Sequence, residues 1–144
     1  MNGGPTKSFP AALVLLAASC AASDMLPMSE SHPEDSNFVA AALIRESGGG
    51  WWCATVTVEN KTDQDLVLEP SRFELRSAPP VFFVPSPELS FGRRPFSMPR
   101  NVVPHGVARG ELFFLIKGDD DPVWPLTLVV HLPDGDSAFV FYEK

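Results

Sequence analysis

From Asn37 onward, apolar and polar residues alternate with a period close to two. In "WWCATVTVEN" (51–60), Trp52, Ala54, Val56 and Val58 fall on one face and Cys53, Thr55, Thr57 and Glu59 on the other. Successive side chains of a strand point to opposite sides, so this pattern marks a half-buried strand. "FVAAALIRE" (38–46) is rich in helix-favouring alanine, but Gly48, Gly49 and Gly50 stop it abruptly and a strand follows, which predicts a first strand here. "NKTDQD" is a turn by its Asn and Asp content. "LVLEP" and "RFELR" follow, the latter with Phe73 and Leu75 inward between Arg72, Glu74 and Arg76, and "VFFV" (81–84) is a short apolar strand. "VARGELFFLIK" (107–117) places Ala108, Gly110, Leu112, Phe114 and Ile116 on one face.

The segment "LTLVVHLPDGDSAFVFYE" holds Asp134-Gly135 between two β-rich runs, a hairpin signal. A two-residue loop there pairs Pro133 with Asp136, so that Val130 faces Phe139 and Leu128 faces Phe141 on the apolar side. Val129 and His131 then lie on the outer side with Ala138 and Val140. Residues 85–104 contain Pro85, Pro87, Pro95, Pro99 and Pro104, which predict a long irregular excursion, because proline donates nothing to a ladder. About seven short strands, closely spaced turns and no long amphipathic helix predict an all-β, antiparallel β-sandwich over residues 37–144.

The first residues follow another pattern. Lys7 precedes an apolar run, Phe9 to Ala18, and small residues follow, the order of parts in a secretory signal. The run is about ten residues, short of the ~20 a membrane-spanning helix needs. Residues 1–19 are thus expected to be a signal peptide. Leu16-Ala17-Ala18-Ser19-Cys20 resembles the lipobox of bacterial lipoproteins, although the favoured leucine stands one place early and Ala17 occupies its slot. The resemblance implies that Cys20 is the mature N-terminus, lipidated on its thiol and amino group and anchored in a membrane of the cell envelope. Several acyl chains hold stably where one does not. The alternative is cleavage after Ala22, giving a soluble secreted or periplasmic protein. Residues 20–36, polar, acidic and broken by Pro27 and Pro33, are expected to be a flexible linker.

Composition narrows the function. The chain carries 11 basic and 18 acidic residues; loss of Lys7 with the signal leaves 10 minus 18, a net charge of −8. Only Arg93-Arg94 forms a basic pair, so a nucleic-acid partner, which needs a basic stripe, is not expected. With Cys20 lipidated, Cys53 has no intrachain cysteine partner, and the domain must be held by burial. His32, His105 and His131 show no metal-ligand spacing to one another or to Cys53. Asp119, Asp120 and Asp121 lack the spacing of a calcium loop and read as a solvated turn. No nucleophile elbow is present. No catalytic residue, metal or cofactor is therefore expected.

"ATVTVENKTDQDLVLEPSRFELR" followed at a distance by "VVPHGVARGELFFLI" resembles the immunoglobulin-like (telokin-like) domain of small bacterial secreted antigens and lipoproteins. The matching features are a strand ending in Asn60, the Glu69-Pro70 corner leading to Phe73, and the turn Val103-Pro104-His105-Gly106 ahead of Gly110, Leu112 and Phe114. The resemblance spans roughly residues 52–117, and insertion 85–104 departs from the compact pattern. It implies an immunoglobulin-like sandwich exposed at the envelope, with no shared catalytic residues to carry over. The expected function is a non-enzymatic binding or structural module, with an envelope protein as possible partner. A soluble ligand- or metal-binding accessory protein is the alternative. Phe91, Arg93, Arg94, Phe96 and Met98 in the proline-rich segment, with Phe113 and Leu115 on the predicted outer face, are the candidate partner contacts. The same pattern also fits a segment that folds back and covers Phe113 and Leu115.

Overall fold

Two antiparallel sheets face each other across one apolar core. The computed structural model describes residues 24–77, 82–83, 96–116 and 124–143. One sheet is built from β2 (Phe38–Gly48), β3 (Trp51–Asn60), β9 (Val107–Leu115) and β7 (Phe96–Ser97), in the order β2-β3-β9-β7. The other contains β1 (Ser29–Ser31), β11 (Gly135–Phe141), β10 (Leu126–Leu132), β5 (Phe73–Arg76) and β6 (Phe82–Phe83), in the order β1-β11-β10-β5-β6. A two-stranded ribbon pairs β4 (Leu66–Val67) with β8 (Asn101–Val102). Six of these strands have four residues or more and five are shorter, so the sandwich has about the expected number of principal strands.

The core follows from the alternation. Trp52, Ala54, Val56, Val58, Leu112 and Phe114 of the first sheet meet Phe73, Leu75, Leu128, Val130, Phe139 and Phe141 of the second. All are buried, and most have no exposed surface at all. Each fully buried side chain of this kind contributes roughly 1.5–3 kcal/mol relative to exposure. The fold is the antiparallel β-sandwich that the period-two pattern predicts.

Three details differ from expectation. The β10–β11 hairpin is shifted by two residues: Leu132 pairs with Gly135, Leu128 with Phe139 and Leu126 with Phe141. Pro133 cannot donate to a ladder, so it opens the turn rather than closing the strand. Gly135 then takes φ 130°, a conformation that favours glycine. A slip of two leaves every side chain on its own face, so Leu128, Val130, Phe139 and Phe141 are still all buried.

The second difference concerns the linker predicted over 20–36. From Met25 on, this segment belongs to the domain. Met25 N–H donates to Ile44 O at 2.7 Å, and Ile44 N–H donates to Met25 O at 3.1 Å. Met28 N–H donates to Val140 O at 2.8 Å, and β1 pairs with β11 through Ser29–Val140, Glu30–Phe139 and Ser31–Ala138. The chain thus crosses from the edge of one sheet to the edge of the other. Polar composition and prolines suggested a tether, but an edge strand tolerates both, and unpaired edges offer bonds to whatever strand reaches them.

The third lies within the proline-rich segment. Its last part returns to the fold: Phe96–Ser97 pairs with Leu112–Glu111, and Met98 enters the core. Gly110 permits this. A Cβ there would overlap Ser97 O and stand 2.7 Å from Met98 Cα.

Candidate functional site

The contact patch expected from the sequence is not assembled on the described surface. Cys20, Phe91, Arg93 and Arg94 lie outside the described residues, as do Asp119, Asp120 and Asp121. Phe96 is described only through its backbone pairing in β7. Met98 is 7% exposed and Phe113 1%, so neither is a surface contact, while Leu115 is half-buried opposite Trp51. The reason is that the sheet bearing Phe113 is buried on both faces. Ala41, Leu43, Cys53, Thr55 and Thr57 share the outer face with Phe113 and are buried as well. Alternation with threonine and cysteine resembled a solvent face, but small polar side chains fit equally under a cover.

The side chains with acid–base or nucleophilic capacity hold the sheets together. His32 Nε2 lies 3.0 Å from Glu30 Oε1 and His32 Nδ1 2.8 Å from Ser137 Oγ, and its ring stands edge-on to Phe139 at 5.4 Å. Serine, histidine and carboxylate in this order resemble a hydrolytic triad. Ser137, however, is 1% exposed on the inner face between strands, where no substrate carbonyl reaches its oxygen. The arrangement is a clip that fixes β1 on β11.

His131 sits on the outer side of β10, as the alternation predicts. Its Nδ1 lies 2.8 Å from Asp136 Oδ1 and its Nε2 2.8 Å from Glu74 Oε1. Both partners are acceptors, so the site suits the doubly protonated ring. Burial pushes the His131 pKa down, but the hydrogen bonds to Asp136 and Glu74 outweigh it and hold the ring above its ordinary value. Glu74 is in turn held below its ordinary value, mainly by His131 and then by Arg76, whose guanidinium lies 3.2 Å away. On the other sheet, Arg45 pairs with Glu111 at 2.9 Å, and Cys53 Sγ donates to the same carboxylate at 3.7 Å. Among the described residues no group of three or more His, Cys, Asp or Glu is arranged to hold a metal ion.

Among the described residues, the exposed large apolar side chains gather at the two ends of the sandwich. One end gathers the turns around Asn37, Asn60, His105 and Asp134; Asn37 N–H donates to Asp134 Oδ2 at 2.8 Å across the two sheets. Asn60 is fully buried and organises this end. Its Nδ2 donates to Gln64 O at 2.7 Å and Val102 O at 3.0 Å, and its Oδ1 accepts from Thr62 N–H at 2.9 Å and Thr62 Oγ at 2.7 Å. The turn Val103–Gly106 closes with Gly106 N–H on Val103 O at 2.9 Å. His105 there holds φ 59° and lies 2.7 Å from Asp63 through Nε2. Exposed Val67, Val103 and Val107 surround it. The opposite end carries the Trp52–Trp124 contact, centroids 5.6 Å apart, and exposed Leu26, Met28 and Tyr142. The sequence reading marked Asn60 and the Val103–Gly106 turn only as pattern positions. Asn60 as the last residue of an alternating strand, with Thr two places on, was the signal for a buried turn-former.

No protein family's sequence profile matches the chain, and no curated protein matches it by sequence. Solved structures do match it by shape. A secreted protein of Mycobacterium tuberculosis, MPT63, is similar with a TM-score of 0.50 and 16% identity, over 83% of this chain and 95% of that one. A functionally unknown protein of Listeria monocytogenes EGD-e is similar with a TM-score of 0.52 and 13% identity, over 81% of this chain and 83% of that one. At these identities the likeness establishes the β-sandwich fold.

Proposed function

We propose that this chain is a non-enzymatic module of the bacterial cell envelope, lipid-anchored through Cys20, that presents the turn-rich end of a rigid sandwich to an envelope partner. The observation that carries the reading is the order of parts: Lys7, a ten-residue apolar run (Phe9 to Ala18), Cys20, and then a sandwich in which Met25 is already hydrogen-bonded. The engagement of His32, His105, His131 and Cys53 in strand and turn contacts supports a module over an enzyme. Loops and turns on a rigid scaffold are where such modules carry their contacts. The likeness to a secreted mycobacterial protein favours export, and with it the second reading, a soluble secreted protein cleaved after Ala22.

The two readings separate on the natively expressed protein. Intact mass of the membrane fraction should give a chain starting at Cys20 with added acyl mass. A soluble chain starting at Ser23 would replace the anchored reading with the secreted one.

A further inference from the structure

We propose that the end of the sandwich bearing Leu26, Met28 and Tyr142 rests against the lipid bilayer, so that the Asn60–His105 end points away from it. The inference rests on the anchored reading of Cys20 and deepens it. Its basis is the length of chain between anchor and domain. Had 20–36 been a free tether, the domain would have reached roughly 55 Å from the membrane. Met25, however, is bonded to Ile44. Only four peptide units separate Cys20 from Asp24, a span of at most about 14 Å. A thiol-linked anchor sits at the boundary between acyl chains and headgroups, and the headgroup layer takes up about 5–8 Å of that span. Leu26 and Met28 therefore stand at the headgroup surface.

The side chains at that place suit it. Leu26 is 47% exposed, Met28 72% and Tyr142 51%. Met28 bonds to Val140, which brings it beside the end of β11 and Tyr142. Tyr142 is the chain's single tyrosine, a residue type enriched where an apolar body meets a wet headgroup layer. Glu30 and Glu143 flank the patch, and the chain beyond the signal carries a net charge of −8. The fitting surface is thus zwitterionic rather than strongly anionic.

The test uses the natively lipidated chain in phosphatidylcholine vesicles containing a headgroup-quencher lipid. An environment-sensitive dye is placed on Met28→Cys or, at the opposite end, on Val103→Cys. Both positions are exposed, so folding tolerates the change, and Cys53 is buried. Quenching should be several-fold greater at position 28 than at position 103. Inserting about 20 Gly/Ser residues after Ser23, an r.m.s. span of ~25 Å, should abolish the difference while leaving the protein vesicle-bound. Equal quenching at the two positions, with acyl mass confirmed on Cys20, overturns the docking and leaves the anchor intact. Quenching at position 28 that tracks protein density rather than quencher lipid identifies a second copy as the occupant and also overturns it. Absence of acyl mass on Cys20 overturns the anchored reading and the docking with it.

Discussion

Asn60 gathers donors and acceptors of neighbouring turn segments on one buried side chain. It satisfies carbonyls of Gln64 and Val102 and is itself satisfied by Thr62, with no exposed surface. Replacing it by alanine leaves buried acceptors without donors, which costs far more than the net value of the bonds. Asn60→Ala should lower unfolding stability by about 2–4 kcal/mol, read from urea midpoints at unchanged slope. His131 yields a prediction of different form. Its pKa is raised from 6.5, so the stability it supplies is fully present below that value and is lost as pH rises through the folded pKa. Glu74 is lowered from 4.5, so its share is present above that value and is lost as pH falls through the folded pKa. The cluster is at full strength between the two. The Tm advantage of the wild type over His131→Gln should be largest near about pH 5.5 and shrink by about pH 8.5, where Glu74 stays ionised and only the ring has changed. A constant difference across that range would assign His131 a packing role alone.

At the scale of the element, faces were legible and pairings were not. The alternation in 51–60, 73–76 and 107–115 gives the core-facing sets, because successive side chains of a strand point to opposite sides, but in β3 the outer set Cys53, Thr55 and Thr57 is buried too. It says nothing of a slip by two, which preserves every face; the turn chemistry of Pro133 and Gly135 made that choice in β10–β11. The burial of Phe113 has a related reason and agrees with the covered alternative for that side chain, while Phe91, Arg93 and Arg94 lie outside the described residues. Phe113 falls on the outer face because Leu112 and Phe114 point inward, and alternation separates two faces without telling which are covered. β1 escaped notice because "SES" between prolines has no apolar pattern to read; its place comes from backbone bonds to β11 and from the His32 clip. Gly110, read as a strand position, is also a contact surface for Ser97 and Met98. Gly110→Ala should cost about 1–3 kcal/mol through overpacking, in spite of alanine's lower unfolded-state entropy. Pairing Gly110→Ala with Met98→Ala should recover part of that loss if the clash lies at Met98, as a double-mutant cycle would show.

For the whole molecule, the sandwich is closed on one side by the segment from Met25 to Ser31. Met25 covers one sheet edge and Ser29–Ser31 the other. Shortening the chain to begin at residue 33 removes both contacts and bares the edges of β2 and β11. Such a chain should lose stability and gain a tendency to self-associate, checked by denaturant midpoint and sedimentation, since exposed edges template pairing. The same crossing has a consequence for the order of events. His32 meets Ser137 across a separation of 105 residues, so the first strand of the domain must wait for the last before either is complete. Contacts so distant in sequence form slowly, because the loop they close must be ordered before they reward it. In a chain synthesised N-terminus first, Ser29–Ser31 stays unpaired until nearly all of the domain has been made. Open to solvent until β11 arrives, it is then locked into the sheet as the last strand pairs with it.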